Sequence, residues 1–442
     1  MTADPFGAPS HGDLFADPEA RELLSDARRV AAMVRVEAAL ARAQAACGVI
    51  PQESADTIAQ AADGFEADAA ALGKGTESAG VPVPSLVAQL RAAVGGDAAT
   101  HVHWGATSQD ILDTALVLVL RDVLERFDAQ LARLADGLSA MAREHAGTLM
   151  LARTRLQQAA PTTFGLKVAG WRAPIVRHRE RLAELRKRLL VVQLGGAAGT
   201  LAPLRGQGPD VRAALAKELG LSDAALPWHV QRDAVAELAG WLSLVTGSLG
   251  KMGLDVGLLA QSEVGEVRES GEAGKGGSST LPQKSNPVGS EVLVTLARYN
   301  AHQVGAMHSA MVQDGERSGA AWSLEWLVLP NMILAASGAF LHAIRIVDNL
   351  VVDTGRMRAN IEATNGLCLA EAVSFALSEH LPREEAQALV SEACRTCVAE
   401  GRHLVDVVSK ASDAPVDWDR VRDPANWTGT ASRSVEDALG LS

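Results

Sequence analysis

The sequence DILDTALVLVLRDVLERFDAQLARLADGLSAMAREHA spans residues 110–146 and decides the fold. A single glycine, Gly137, interrupts an otherwise helical pattern. Apolar side chains recur at alternating spacings of four and three residues, at Leu120, Leu124, Phe127, Leu131, Leu134, Leu138 and Met141. That spacing is a heptad seam, and a helix of this length is about 55 Å long. Such a seam needs neighbouring helices along its whole length, so we predict a bundle of long helices.

Four further stretches have the same helical character: residues 162–193 (with a kink expected at Pro174), 230–266, 288–318 and 322–353. We therefore predict an all-α protein, an elongated bundle of five long helices flanked by two smaller helical domains. The predicted domains are an N-terminal helical domain at 1–104, a central bundle carrying the active-site motifs at 105–353, and a C-terminal helical domain at 354–442. Within the first domain, residues 28–47 predict an amphipathic helix and the Gly- and Pro-rich residues 73–84 predict a loop. Long seams often continue across subunits, so we expect a homo-oligomer.

Composition narrows the functional class. Of the 442 residues 48% are hydrophobic but only 4% aromatic, which favours helices over sheets. The net charge of −12 argues against nucleic acid as the main partner. Four cysteines do not make a disulfide framework, and no P-loop or GxGxxG motif is present.

The expected location is cytoplasmic. The N-terminus has neither a basic region nor an apolar core typical of a secretory signal. Residues 326–344 contain no Asp, Glu, Lys or Arg, but they do contain Pro330, Asn331, Ser337 and His342. We expect a buried bundle helix here rather than a membrane span.

A second stretch, GEAGKGGSSTLPQKSNPVGSE at 271–291, carries the functional hypothesis. It is too rich in glycine to hold a helix and predicts a mobile loop. A serine acts as a base only when amide donors and a nearby cation stabilise its oxyanion. The glycines let amide groups approach Ser278, and Lys284 supplies the charge.

Three other segments could bind anions. HWGATSQDILDT at 103–114 opens the seam helix. Thr107 or Ser108 can cap this helix, and its free N–H groups can bind an anion. The alternative is that these residues only cap the helix. ARTRLQQAAPTTFG at 152–165 places two arginines and a glutamine before the next helix, and a solvated turn is the alternative. DGERS at 314–318 contributes Arg317, with a surface salt bridge as the alternative. His103 serves either helix packing or substrate contact.

Together these motifs resemble the fumarase/aspartase superfamily over nearly the whole chain. Residues 277–287 match its GSSxMPxKxNP loop, with Leu281 where methionine usually lies, and residues 107–114 match its TSxDxxDT segment. GATSQDILDT, GGAAGT at 195–200 and DPAN at 423–426 look most like the lactone-forming cycloisomerases of the superfamily.

The resemblance implies a homotetramer with a central helical core, in which each active site collects segments from three subunits. It implies that Ser278 is the base that removes a proton next to a carboxylate. Lys284 and Asn286 then bind a small polycarboxylate substrate, Thr107 and Ser108 hold one of its carboxylates, and Gln157 and Arg317 line the site. No metal and no organic cofactor is implied.

One residue departs from the family pattern, and it bears on which leaving group the enzyme can release. Where fumarases and adenylosuccinate lyases carry histidine, this chain has Arg155, while the glutamate that partners that histidine is kept as Glu291. An Arg155–Glu291 ion pair is the expected replacement. A carboxylate leaving group, whose conjugate acid ordinarily has a pKa of about 4, needs no acid to protonate it. Arginine in place of the family's histidine therefore favours a cycloisomerase that adds a carboxylate across a C=C bond.

Two alternatives remain open. A related enzyme whose leaving group is a stable anion fits the same reasoning, such as a nitrosuccinate lyase that releases nitrite or a sulfomuconate cycloisomerase. Adenylosuccinate lyase fits it less well. The alternative from another class is a non-catalytic scaffold, which the intact Ser278, Lys284 and Asn286 set argues against.

Overall fold

The computed structural model describes residues 4–270, 281 and 284–440, and 69% of the chain is helical. The α-helices of the described part are α1 Gly12–Phe15, α2 Pro18–Leu23, α3 Asp26–Ala46, α4 Gln52–Ala62, α5 Ala69–Ala79, α6 Val83–Val94, α7 Ser108–Glu144, α8 Phe164–Leu189, α9 Gly208–Leu219, α10 Asp233–Leu259, α11 Val288–Ser309, α12 Ala320–Asn349, α13 Thr354–Glu362, α14 Ala370–Ser378, α15 Arg383–Glu400, α16 Leu404–Ala411, α17 Trp418–Arg422 and α18 Ala431–Leu439. Short 3₁₀ turns lie at Asp97–His101, Ala202–Leu204, Leu367–Leu369 and Pro424–Trp427. The strands are β1 Leu149–Thr154, β2 Gln157–Thr163, β3 Val267–Glu269 and β4 Leu350–Val352.

The all-α prediction is confirmed. Each of the five predicted long helices is present as α7, α8, α10, α11 and α12, with ends within about ten residues of those predicted. Six of the seven seam residues of α7 are buried, Leu120, Phe127, Leu131 and Leu138 each being 0% exposed, and Met141 is half-buried. The heptad spacing thus marked the face that packs against other helices.

The chain divides into two compact units that do not follow chain order. Unit 1 comprises Met1–Gln130, His178–Gly247 and Leu296–Leu341, and unit 2 comprises Leu131–Arg177, Ser248–Thr295 and His342–Ser442. The three domains predicted by sequence position, 1–104, 105–353 and 354–442, stay a prediction.

Unit 1 has its core where α3, α4, α6 and α9 surround the first part of α7. Leu40, Ile58, Leu90 and Leu118 are among its buried members. The same unit contains a fully buried ion network. The Arg232 guanidinium, just before α10, contacts the carboxylates of Asp113 on α7 (2.9 and 3.2 Å) and Glu325 on α12 (2.8 Å).

Unit 2 has a second core, built by the C-terminal helices. Leu151 of β1 joins it together with Val373, Leu377, Leu404 and Val408. Strands β1 and β2 form an antiparallel hairpin with an irregular register between Leu151 and Arg153, and β3 pairs antiparallel with β4. The hairpin was not predicted from the sequence, which gave this segment before α8 no regular structure.

The loop predicted at residues 73–84 is wrong. Helix α5 runs through Ala79, because the Asp68 carboxylate accepts the amide N–H groups of Ala70 and Ala71 and so caps its first turn. Gly75 lies in that helix where a Cβ would come within 2.5 Å of the Ser85 Cβ. The glycine therefore serves close packing of α5 on α6 rather than chain flexibility.

Two helices, α10 and α12, are long and apolar enough to cross a membrane by length and composition alone. In α12, which contains residues 326–344, 72% of the most apolar window is buried inside the protein, and in α10 the share is 50%. Burial of this kind is typical of core helices, as expected for residues 326–344.

Candidate active site

Asp110 organises the turn that opens α7. It is 1% exposed, and its Oδ2 accepts the Thr107 amide at 3.0 Å, as a capping residue does. The same carboxylate accepts the amides of Gly195 and Gly196, both at 2.9 Å, and the His229 Nε2–H at 2.7 Å. One buried side chain therefore joins the start of α7 to the GGAAGT segment at 195–200.

Capping is confirmed at this turn, and anion binding there stays a prediction. Asp110 is a capping residue, as the simpler interpretation required, and Thr107 and Ser108 still lie half-exposed at the positive end of a 37-residue helix. The first N–H groups of a helix have no acceptor within it, so an anion is favoured there. The position is suited to hold a carboxylate.

Arg317 points at this same turn. Its Nε donates to Gln109 Oε1 at 3.0 Å, and its Nη2 donates to the Gly196 carbonyl at 3.2 Å. Gln109 is itself buried and donates to the His229 carbonyl at 2.9 Å. Arg317 forms no ion pair with a carboxylate among the residues that the structure describes, so the surface salt bridge does not form and its charge is not neutralised.

His103 lies in the same unit, four residues before Thr107. Its backbone is left-handed, with φ of 63°, and its Nδ1 hydrogen-bonds the buried Glu37 carboxylate at 2.7 Å. Burial acts to lower the pKa of His103, but the charge and hydrogen bond of Glu37, with the Asp110 charge, outweigh it and raise that pKa. The ring is therefore biased toward its cationic form.

The hairpin of unit 2 separates the two arginines of the 152–165 motif. Arg153 donates to Glu266 through both terminal nitrogens, at 2.8 and 2.7 Å, and Glu266 is 0% exposed. Arg155 and Leu156 form the two-residue turn, with φ of 51° and 66°, and both are exposed. A turn with two positive φ values matches the twist of a hairpin and pushes its side chains outward.

The expected Arg155–Glu291 ion pair does not form between the described residues of one chain. Arg155 lies at the hairpin tip, and Glu291 is exposed in the first turn of α11. Gln157, at the start of β2, is exposed as well. These side chains are available to contacts outside the single chain.

Glu269 fixes the start of α11. Its carboxylate accepts the amides of Gly289 (3.0 Å) and Ser290 (2.7 Å) and the Ser290 hydroxyl (2.5 Å). Lys284 and Asn286 lie just before that helix, exposed and half-exposed respectively. Ser278 and most of the loop at 271–286 lie outside the described residues, so the assignment of Ser278 as the base rests on the sequence alone.

The predicted site residues thus fall into two groups. Unit 1 brings together His103, Thr107, Ser108 and Arg317, and unit 2 holds Arg155, Gln157, Lys284, Asn286 and Glu291. Sequence reasoning missed the residues that position them, namely Glu37, Gln109, Glu266 and Glu269. Their partners are far apart in the sequence, and no local pattern gave a signal for them.

Comparison with known proteins identifies the family. A family profile described as Lyase matches residues 16–300, and one described as Adenylosuccinate lyase C-terminus matches residues 366–438. The chain belongs to the fumarase/aspartase superfamily. Its enzymes include 3-carboxy-cis,cis-muconate cycloisomerase of Pseudomonas aeruginosa, 45% identical over 95% of this chain and 93% of that protein.

A solved structure gives the same result for the fold. The crystal structure of 3-carboxy-cis,cis-muconate lactonizing enzyme from Pseudomonas putida is 44% identical, with a TM-score of 0.91 over 97% of each chain. Another member of the superfamily, nitrosuccinate lyase of Streptomyces davaonensis, is 40% identical over 94% of this chain and 91% of that protein. The protein is an enzyme of this superfamily.

Proposed function

We propose that the protein is a 3-carboxy-cis,cis-muconate cycloisomerase, which forms 4-carboxymuconolactone in the protocatechuate branch of the β-ketoadipate pathway. The observation that carries the proposal is the 45% identity with an enzyme of that name along 95% of the chain. Arg155 in place of the histidine of fumarases points the same way, since this reaction has no leaving group that needs an acid.

In the proposed reaction a carboxylate oxygen of the substrate adds to its own C=C bond and forms the lactone C–O bond. The displaced π electrons move toward the neighbouring carboxylate as an aci-carboxylate. Ser278 gives its proton to the carbon between them, and solvent returns one proton to the serine. The substrate thus loses one negative charge and gains one carbon-bound proton. No organic cofactor or metal takes part in this proposal.

Positive charge is what the substrate requires, because it carries three carboxylates. In unit 1 the α7 N-terminus, Arg317 and His103 offer donors. The hydrogen bonds of Arg317 go to neutral oxygens, so no carboxylate among the described residues compensates its charge. In unit 2 Lys284, Asn286, Gln157 and Arg155 are at least partly exposed in the chain. We assign these residues to substrate carboxylates, and Glu291 to orienting the catalytic loop or its partner arginine.

We also propose a homotetramer with active sites shared between subunits, acting in the cytoplasm without nucleic acid or membrane partners. Exposed leucines on the long helices support self-association: Leu244 (54%), Leu254 (50%) and Leu327 (71%). Site residues such as Arg155, which have no partner in the described part of one chain, also favour a shared site. Sedimentation-velocity analysis of the purified protein tests the tetramer, and a monomer at micromolar concentration overturns it.

Loss of ultraviolet absorbance on mixing the purified protein with 3-carboxy-cis,cis-muconate tests the activity. The lactone has lost the conjugated diene, so turnover reads out directly. The second candidate is a nitrosuccinate lyase, favoured by the 40% identity with that enzyme. If the muconate stays inert while nitrosuccinate releases nitrite, the cycloisomerase assignment fails and the lyase assignment replaces it.

A further inference from the structure

Glu37 is a carboxylate buried in an apolar helix face without an obvious structural need. It lies on α3 among Met33, Val34 and Leu40, and its side chain is 0% exposed. Its Oε1 accepts the His103 hydrogen bond, while its buried Oε2 has no partner within the part of the chain that the structure describes. A half-satisfied buried carboxylate is costly, so its retention next to one histidine points to a task at that histidine.

The backbone conformation of His103 is also unfavourable. A non-glycine residue with φ of 63° is strained, and such strain concentrates at functional sites. Its ring is 16% exposed, and Nε2 has no protein partner in the described chain. The ring therefore presents one nitrogen to Glu37 and keeps the other for a ligand, a few residues before the anion-binding start of α7.

The charged groups around the ring come from three helices. Glu37 on α3 and Asp110 on α7 favour the imidazolium, while burial and Arg91 on α6 disfavour it. Arg91 is partly occupied elsewhere, since its Nη2 donates to the Val102 carbonyl at 2.9 Å. The balance raises the pKa of His103.

We propose that Glu37 is a positioning residue for substrate binding: it accepts the Nδ1–H of His103 and fixes the ring, so that Nε2–H binds a substrate carboxylate. The substrate class rests on the proposed function. The other buried residues of α3 are mostly apolar.

Deuterium exchange at the histidine Cε1, followed by mass spectrometry across pH, reads the protonation of His103 without any substrate. The His101→Asn variant supplies the background, because it leaves His103 as the one histidine of the tryptic peptide 92–121. His101 is not among the predicted site residues, and its ring contacts that of Trp104. In this background the exchange midpoint of His103 should lie above about 6.5. With Glu37→Gln added, the midpoint should move to lower pH by about one unit or more.

A midpoint that does not move on Glu37→Gln overturns the proposal. If that variant does not fold, the His101→Asn protein alone decides, since a midpoint below about 6.5 contradicts a cationic His103. These outcomes do not depend on which reaction the enzyme performs.

Kinetics tests the carboxylate contact. Glu37→Gln and His103→Asn should each raise KM for the muconate about tenfold or more at neutral pH, with a smaller change in kcat, while His101→Asn leaves both unchanged. In the wild type KM should rise as pH passes above the His103 midpoint, and this dependence should shift toward acid in Glu37→Gln. An unchanged KM in both variants overturns the contact, whereas an inactive wild type refutes the proposed function and leaves the exchange result standing.

Discussion

Arg153 donates two hydrogen bonds to the carboxylate of Glu266, at 2.8 and 2.7 Å, and the Glu266 side chain is fully buried. Asn360 adds a third donor at 2.8 Å. Two residues further on, Arg155 stands exposed in the hairpin turn. The two arginines look equivalent in the sequence. Arg153 holds β1 against the segment before β3, whereas Arg155 forms no ion pair in the part of the chain that the structure describes.

Removing Arg153 should destabilise the protein. Arg153→Met leaves Glu266 as an uncompensated buried charge, which costs about 3–5 kcal/mol in the free energy of unfolding. Urea denaturation followed by circular dichroism measures the loss. The double variant with Glu266→Gln should lose less than Arg153→Met alone, because the charge is then gone too; an equal or greater loss contradicts the ion-pair explanation.

Removing Arg155 should instead affect substrate binding. Arg155→Ala should raise KM for 3-carboxy-cis,cis-muconate about tenfold to a hundredfold, the value of a charged hydrogen bond. Its unfolding midpoint in urea should stay that of the wild type, since the side chain is exposed and forms no ion pair within the described part of the chain. A drop in stability with an unchanged KM would mean that Arg155 is a structural residue.

The contrast between these arginines shows where sequence reasoning ends. The five long helices could be predicted, because the spacing of apolar residues reports a helix face directly. The β1–β2 hairpin could not, since its turn residues Arg155 and Leu156 are not the Asn-Gly or Gly pairs that mark a two-residue turn. Because the turn was not predicted, no feature of the sequence distinguished the role of Arg153 from that of Arg155.

Only part of the candidate site could be predicted from the sequence. The motifs gave His103, Thr107 and Arg317, because each lies within or near a recognisable local pattern. Their supports came from elsewhere in the chain: Glu37 precedes His103 by 66 residues, and Gln109 precedes Arg317 by 208. Contacts at such separations depend on the folded packing and leave no local signal.

The serine assignment has a direct test. Ser278→Ala should lower kcat by at least about 10³-fold, because the proposed reaction takes its carbon-bound proton from the Ser278 hydroxyl. Thermal denaturation should show a melting temperature close to that of the wild type. The adjacent Ser279→Ala is the matched control and should lose far less activity; if the two variants lose equally, the proton is not handled by Ser278 alone.

The buried ion network of unit 1 should also be costly to break. Burial disfavours the charge of Arg232, but the Asp113 and Glu325 carboxylates and the hydrogen bonds to them outweigh it and raise its pKa, so the guanidinium stays charged while it holds two carboxylates. The Trp228 ring also lies against it, with 5.0 Å from Cζ to the ring centroid. Arg232→Met should therefore lower the free energy of unfolding by about 3–5 kcal/mol.

Arg188→Met supplies the control for that measurement. Its guanidinium also binds a carboxylate, that of Glu237, but on an exposed surface of the same unit, and exposed pairs contribute about 0–1 kcal/mol. Urea midpoints of the two variants should differ clearly. Similar midpoints would mean that burial of the Arg232 ion pairs does not increase their contribution to the free energy of unfolding.

His403 should make stability depend on pH. It caps α16, where its Nδ1 accepts the Val405 amide at 3.3 Å, and this requires a neutral ring. Burial and the Arg422 charge lower the pKa of His403 below its ordinary value. The unfolded chain therefore binds the proton more readily than the folded chain, so this contribution is complete above about pH 6.5 and is lost as pH falls through the folded pKa. Replacing His403→Asn keeps a good capping residue without a titrating ring. Urea unfolding between pH 5 and 8 should then show a smaller decrease in stability at acid pH for the variant, and equal pH dependence in both proteins would assign the effect to other groups.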